Sequence, residues 1–115
     1  MKVATQDPAK TDPEKYKVIL ESERVRVFEY RDKPGEKTSL HYHQDFVIYA
    51  LSSFKRKLVL ADGKEMKREF NIGEVAWMKE QTHIGINIGK TETHALIVEL
   101  KEVPKGQTEN SSKLQ

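Results

Sequence analysis

The chain of 115 residues contains no cysteine. Disulfides, thiolate nucleophiles, iron–sulfur clusters and Cys-ligated zinc are therefore excluded, and any metal must be held by His, Asp or Glu. Long apolar runs are missing too: nothing approaches the ~20 residues of a membrane-spanning helix. The opening MKVATQDPAK has no apolar stretch of the kind a secretory leader carries, so a cytoplasmic protein without a membrane partner is expected. Nor is there an excess of one charge. Twenty Lys+Arg stand against 18 Asp+Glu, with the signs interspersed and a net charge of +2, which supplies no polycationic face for nucleic acid. Gly-rich phosphate loops, a GxSxG elbow and an HExxH helix are absent. The length suits one hydrophobic core, and no repeat with a period of 20–50 residues is visible.

What is present reads as strand. Residues 16–20, 24–31 (RVRVFEYR), 38–43, 46–51 (FVIYAL), 57–61, 64–70, 75–78, 83–88 and 93–100 are rich in β-branched and aromatic side chains or alternate in polarity. Lys33-Pro34-Gly35, Asp62-Gly63, Asn71-Ile72-Gly73 and Gly89-Lys90-Thr91 punctuate them. Asp62-Gly63 predicts a two-residue type I′ hairpin. The stretch KEMKREF has a helical alternative, but turn signals on both sides leave room for only two turns, so strand is preferred. Many short strands with close turns imply an all-β sandwich or barrel. Residues 1–15 and 104–115 are polar and poor in apolar side chains, and are expected as tails, disordered or loosely docked, around a barrel spanning 16–103.

Four histidines are the candidate chemistry: His41, His43, His83 and His94. His41 and His43 are two apart, so on a strand both imidazoles leave the same face. If that face is inward, they converge and a ligand from a distant strand completes a metal site; if outward, they merely meet water. His83 and Asn87, four apart, likewise share a face of a later strand. His94 depends on register: pairing of 83–88 with 93–100 sends it toward the pocket in one register and away from it after a one-residue slip. Glu29 and Tyr30 read as part of a solvated face, and Lys55-Arg56-Lys57 as a hydrophilic strand face or edge protection.

Gly35-(x5)-His41-x-His43 resembles the opening of the first cupin motif. Gly73-Glu-Val-Ala-Trp-Met, followed by His83-x3-Asn87, resembles the second. The two occur in order, in an all-β chain of this length, and the resemblance covers roughly residues 17–102. It implies a small single-domain cupin of the RmlC-like superfamily, a jelly-roll-like double-stranded β-helix, binding one divalent metal ion (Fe, Ni, Zn, Mn or Cu) through His41, His43 and His83. The carboxylate that the first motif ordinarily supplies falls on Phe46, Val47 or Ile48, none of which ligates metal. Phe46, Val47, Ile48, Asn87, His94 and Trp77 are the candidate pocket residues. The function expected is metal-dependent chemistry on a small molecule, such as oxygenation or isomerisation. The alternative is a non-catalytic cupin that binds or senses a small ligand without metal. Apolar residues on both faces of several strands, Leu40 and Tyr42 among them, predict a homodimer, a state the resemblance also implies.

Overall fold

The computed structural model describes residues 6–102. A short helix, α1 (Pro8–Thr11), precedes nine strands: β1 (Tyr16–Glu21), β2 (Val25–Asp32), β3 (His41–His43), β4 (Phe46–Ala50), β5 (Phe54–Leu60), β6 (Glu65–Phe70), β7 (Val75–Met78), β8 (Gln81–Asn87) and β9 (Thr93–Leu100). They form two antiparallel sheets, ordered β1-β2-β9-β4-β7 and β3-β8-β5-β6. The all-β expectation holds, and KEMKREF is strand, laddered to β5 from Val59↔Glu65 to Phe54↔Phe70.

Between the sheets, alternate residues meet. Tyr16, Phe28, Tyr30, Phe46, Leu58, Met78 and Ile97 form the main core, and Ala50, Phe54, Phe70 and Ala95 a second cluster. Each large apolar side chain so buried contributes on the order of 1.5–3 kcal/mol. The inner faces of β2 and β9 also carry charge: Arg26, Asp32 and Glu99 point between the sheets and are matched there to one another or to neighbours.

Two expectations are corrected. The Asp62-Gly63 turn is not type I′, because only Gly63 has a positive φ (93°). Gly63 N donates to Leu60 O and Leu60 N to Lys64 O, a three-residue loop with glycine in the left-handed position. Strands β8 and β9 do not pair: β8 lies between β3 and β5, and β9 between β2 and β4. The register alternatives for His94 therefore vanish, since the connection crosses from one sheet to the other. Of the 1–15 segment, residues 1–5 lie outside the described residues, and residues 6–15 carry side-chain contacts to β2 and to the residues just before β3. The Asp7 side chain caps α1 by accepting from Ala9 N and ion-pairs with Arg26 at 3.0 Å. Buried Asp12 accepts from Ser39 N at 3.0 Å. The partners of these two acids, Arg26 and Ser39, lie 19 and 27 residues along the chain. The polar segment 104–115 lies outside the described residues.

Candidate metal centre

The strand His41-Tyr42-His43 turns both imidazoles inward, and Tyr42 outward, where its hydroxyl donates to Glu80. β3 is laddered to β8 with His41 directly opposite His83. A local i, i+2 spacing and one cross-strand pair thus bring three buried histidines together, their ligating nitrogens all within 4.8 Å of one another. Ring centroids are 4.7 Å apart for His41–His43 and His41–His83, and 5.3 Å for His43–His83.

Each ring is held from behind. His41 Nδ1 donates to Ser39 O at 2.8 Å, His43 Nδ1 to Glu99 Oε2 at 2.7 Å, and His83 Nδ1 to Gln81 Oε1 at 2.7 Å. All three partners are acceptors, so each neutral imidazole carries its proton on Nδ1 and presents an Nε2 lone pair to the common centre. Burial pushes all three histidines below their ordinary value of 6.5, His43 and His83 well below, with the neighbouring histidines adding to the shift in those two. His41 Nε2 and His43 Nε2 stand 3.0 Å apart. Two lone pairs at that separation repel unless a cation lies against both. The donor set therefore fits a divalent metal: three neutral nitrogens, oriented and fixed in tautomer by an outer ring of acceptors.

Two further residues complete the centre, and sequence reasoning missed both. Tyr16, the only buried residue of β1, places its hydroxyl 3.1 Å from His41 Nε2 and 3.2 Å from His43 Nε2. Burial pushes its phenol pKa well up. Glu99 is buried, bonded to His43 through Oε2 and to Arg26 through Oε1 at 2.9 Å. Burial raises its carboxyl while Arg26 opposes the rise. No motif marks Tyr16. Glu99 carries one weak signal, a charge within the apolar strand THALIVEL.

No family model matches the sequence and no curated protein does. Solved structures do. A cupin domain from Bordetella pertussis superposes with a TM-score of 0.68 at 28% identity, covering 76% of this chain and 92% of that one. The chain has the cupin fold. An RmlC-like cupin with a double-stranded β-helix fold from Methanocaldococcus jannaschii gives a TM-score of 0.58 at 16% identity, covering 74% of this chain and 77% of that one. The polyketide cyclase RemF from Streptomyces resistomycificus gives 0.57 at 22% identity, covering 77% and 66%.

In this cupin a cavity of about 50 Å³ adjoins the histidines. His43, His83 and Tyr16 border it beside an apolar wall that includes Phe46, Ile48, Leu58, Met78 and Ile97. Phe46 and Ile48 thus face the cavity as apolar residues where the first motif ordinarily carries its acid. Val47 does not line it: it points to the outer face, opposite Val98 and Trp77. Trp77 is 53% exposed on that same face. His94 also points outward and bonds Glu29 Oε2 at 2.7 Å, because its neighbours Thr93 and Ala95 take the inward positions. Asn87 shares the inner face with His83, but it serves a separate buried polar cluster, donating to Asp32 Oδ1 at 3.1 Å and to Thr91 O at 3.0 Å.

The centre of that cluster is Arg56, which is buried and not part of a hydrophilic face. Its Nη1 donates to Asp32 Oδ2 at 2.7 Å and Thr93 Oγ1 at 3.1 Å, and its Nη2 to Tyr30 Oη at 3.1 Å. Tyr30, in turn, donates to Asp32. The guanidinium lies over Gly85, two residues from His83: a Cβ there would sit 2.7 Å from Arg56 Nη2. Arg56 and Gly85 also border the cavity, so it has an apolar wall, a histidine corner and a charge-matched guanidinium.

Proposed function

We propose that this cupin holds one divalent metal ion through His41, His43 and His83 and acts on a small molecule in the adjoining cavity. The observation that supports this most is the set of three Nδ1–H groups, each bound by an acceptor, which leaves three Nε2 lone pairs facing one centre. Imidazole donors suit Fe, Ni, Cu, Zn or Mn. When bound, such an ion supplies Lewis-acid polarisation of a coordinated substrate and a template on which reactants meet. The protein's own part is to orient and to exclude water. Neutral imidazoles leave the ion's charge uncancelled, which favours an anionic, chelating ligand such as an enolate. Phe46, Ile48, Leu58 and Met78 keep the surroundings dry. Oxygenation or isomerisation of such a chelator is the chemistry this arrangement suits, and a cyclase among the fold neighbours is in keeping with small-molecule chemistry in this architecture.

Metal analysis of protein purified without a His-tag tests the reading. About one ion per chain is expected, and His83→Ala should lose it. A wild-type protein that neither contains nor takes up Fe, Ni, Zn, Mn or Cu overturns it. The Fe(II)-loaded protein should then consume oxygen with a panel of β-diketones and 2-hydroxy ketones, and His83→Ala should not.

One observation favours a second reading, a non-catalytic cupin that binds or senses a small ligand. Among the described residues no carboxylate borders the cavity, since Glu99 is committed to His43 and Arg26, and Asp32 to Arg56, Tyr30 and Asn87. No acid is left there as a general base. Ligand binding without turnover by any loaded form would favour this reading over the first.

The same proposal includes a homodimer. On the outer face of the five-stranded sheet, Leu20, Val27, Val98, Val47 and Trp77 lie side by side across all five strands. Tyr49 and Val75 extend this apolar face along the next row. A continuous apolar row on an open sheet face is what a second copy would cover.

A further inference from the structure

We propose that Tyr16 is a fourth ligand of the metal, its phenolate oxygen taking the place left by the absent carboxylate of the first motif. This rests on the three-histidine reading and goes one residue beyond it. The Tyr16 hydroxyl lies 3.1 and 3.2 Å from His41 Nε2 and His43 Nε2, which are themselves 3.0 Å apart. Neighbouring donors about 2.1 Å from an octahedral ion stand ~3.0 Å apart. The three atoms thus already have the mutual spacing of donors on one ion.

Hydrogen bonding alone accounts poorly for this triangle. A phenol has one proton and can satisfy one of the two lone pairs; the other would be left facing an oxygen and a nitrogen. One ion satisfies all three atoms together. The phenol O–H bond then breaks, its proton passes to solvent, and an oxygen lone pair binds the ion, whose oxidation state does not change. The exchange lowers the charge of the centre by one, as the missing carboxylate would have done.

The position of Tyr16 is set by rigid packing. Its ring meets Phe28 edge-on with centroids 5.1 Å apart and Tyr30 at 4.6 Å, and its backbone N donates to Asp12 O at 3.0 Å. The nearest other phenol, Tyr30, is engaged by Asp32 and Arg56.

The test loads the protein with Fe(II) anaerobically, oxidises it with ferricyanide, and measures both bound iron and the visible spectrum. Wild type should bind one ion and show a phenolate-to-Fe(III) charge-transfer band, with tyrosine ring modes in resonance Raman that shift on ring-deuterated tyrosine labelling. Tyr16→Phe should keep its iron and lose the band entirely, and Tyr30→Phe should retain it. Even if Tyr16→Phe fails to fold, the isotope shift in wild type shows that a tyrosine ligates, and a band retained in Tyr30→Phe excludes the neighbouring phenol. Iron bound through the histidines without a charge-transfer band, or a band that survives Tyr16→Phe, overturns the tyrosine ligand and leaves the three-histidine reading standing. A wild type that binds no metal overturns both.

Discussion

Glu99 and His43, 56 residues apart in sequence, meet across 2.7 Å in the interior, each about 1% exposed. This contact fixes which nitrogen of His43 faces the centre, and Arg26 balances the carboxylate from its other side. Replacing Glu99 by Ala should therefore loosen the ring without removing a ligand. Metal affinity, measured by chelator competition, is expected to fall about 10–100-fold, the usual effect of losing an outer partner. Glu99→Gln, which keeps an acceptor oxygen, should lose less. Equal affinities for wild type and Glu99→Ala would show that the contact does not tune the site.

Arg56 and Asp32 form a buried pair at 2.7 Å, with the Asp32 side chain fully buried. Arg56→Met would leave that carboxylate unpaired at a cost of about 3–5 kcal/mol, read as a lowered urea midpoint. Asp32→Asn combined with Arg56→Met should recover much of the loss. Gly85→Ala acts on the same cluster from the opposite side: its Cβ displaces Nη2 and with it the bond to Tyr30, costing about 1–3 kcal/mol. An unchanged midpoint in Gly85→Ala would mean that the guanidinium shifts freely.

Acid should destabilise the metal-free fold. The three imidazoles are held below 6.5 when folded and return to about 6.5 when unfolded, so below that pH the unfolded chain binds more protons. Their contribution is complete above 6.5 and is lost as pH falls toward the folded values, by up to about 1.4 kcal/mol per pH unit for each histidine. Glu99 has the opposite sign, since burial raises it above its ordinary 4.5; its contribution is complete below 4.5 and is lost as pH rises through its folded value. Urea midpoints in EDTA should drop from about pH 7.5 to about pH 5.5, and His41→Asn should flatten the trend. A midpoint that does not change over that range would contradict the depressed values.

The apolar row on the outer sheet predicts the oligomeric state. Light scattering should give twice the mass of the chain. Trp77→Glu, at the exposed end of the row, should give the single-chain mass with an unchanged far-ultraviolet spectrum. A wild type that scatters as one chain at micromolar concentration excludes the dimer.

The sequence by itself determined local geometry. Turn residues placed the loops at 33–35 and 71–73, where Gly35 and Gly73 have positive φ, and the two-residue spacing put His41 and His43 on one face. Those are properties of neighbouring dihedrals and of the pleat. Only the tertiary structure decided which face is inside. In β9 the more apolar set, Leu96, Val98 and Leu100, points outward, while Ala95, Ile97 and Glu99 point inward. Alternation defines two faces but does not say which one a second sheet will cover. Strand pairing was equally out of reach: β8 and β9, adjacent in sequence, enter different sheets, and β3 finds β8 about 40 residues away. Tyr16 and Glu99 join the site only because the fold brings His41 and His43 to them from distant strands, whereas Gln81 meets His83 within its own strand.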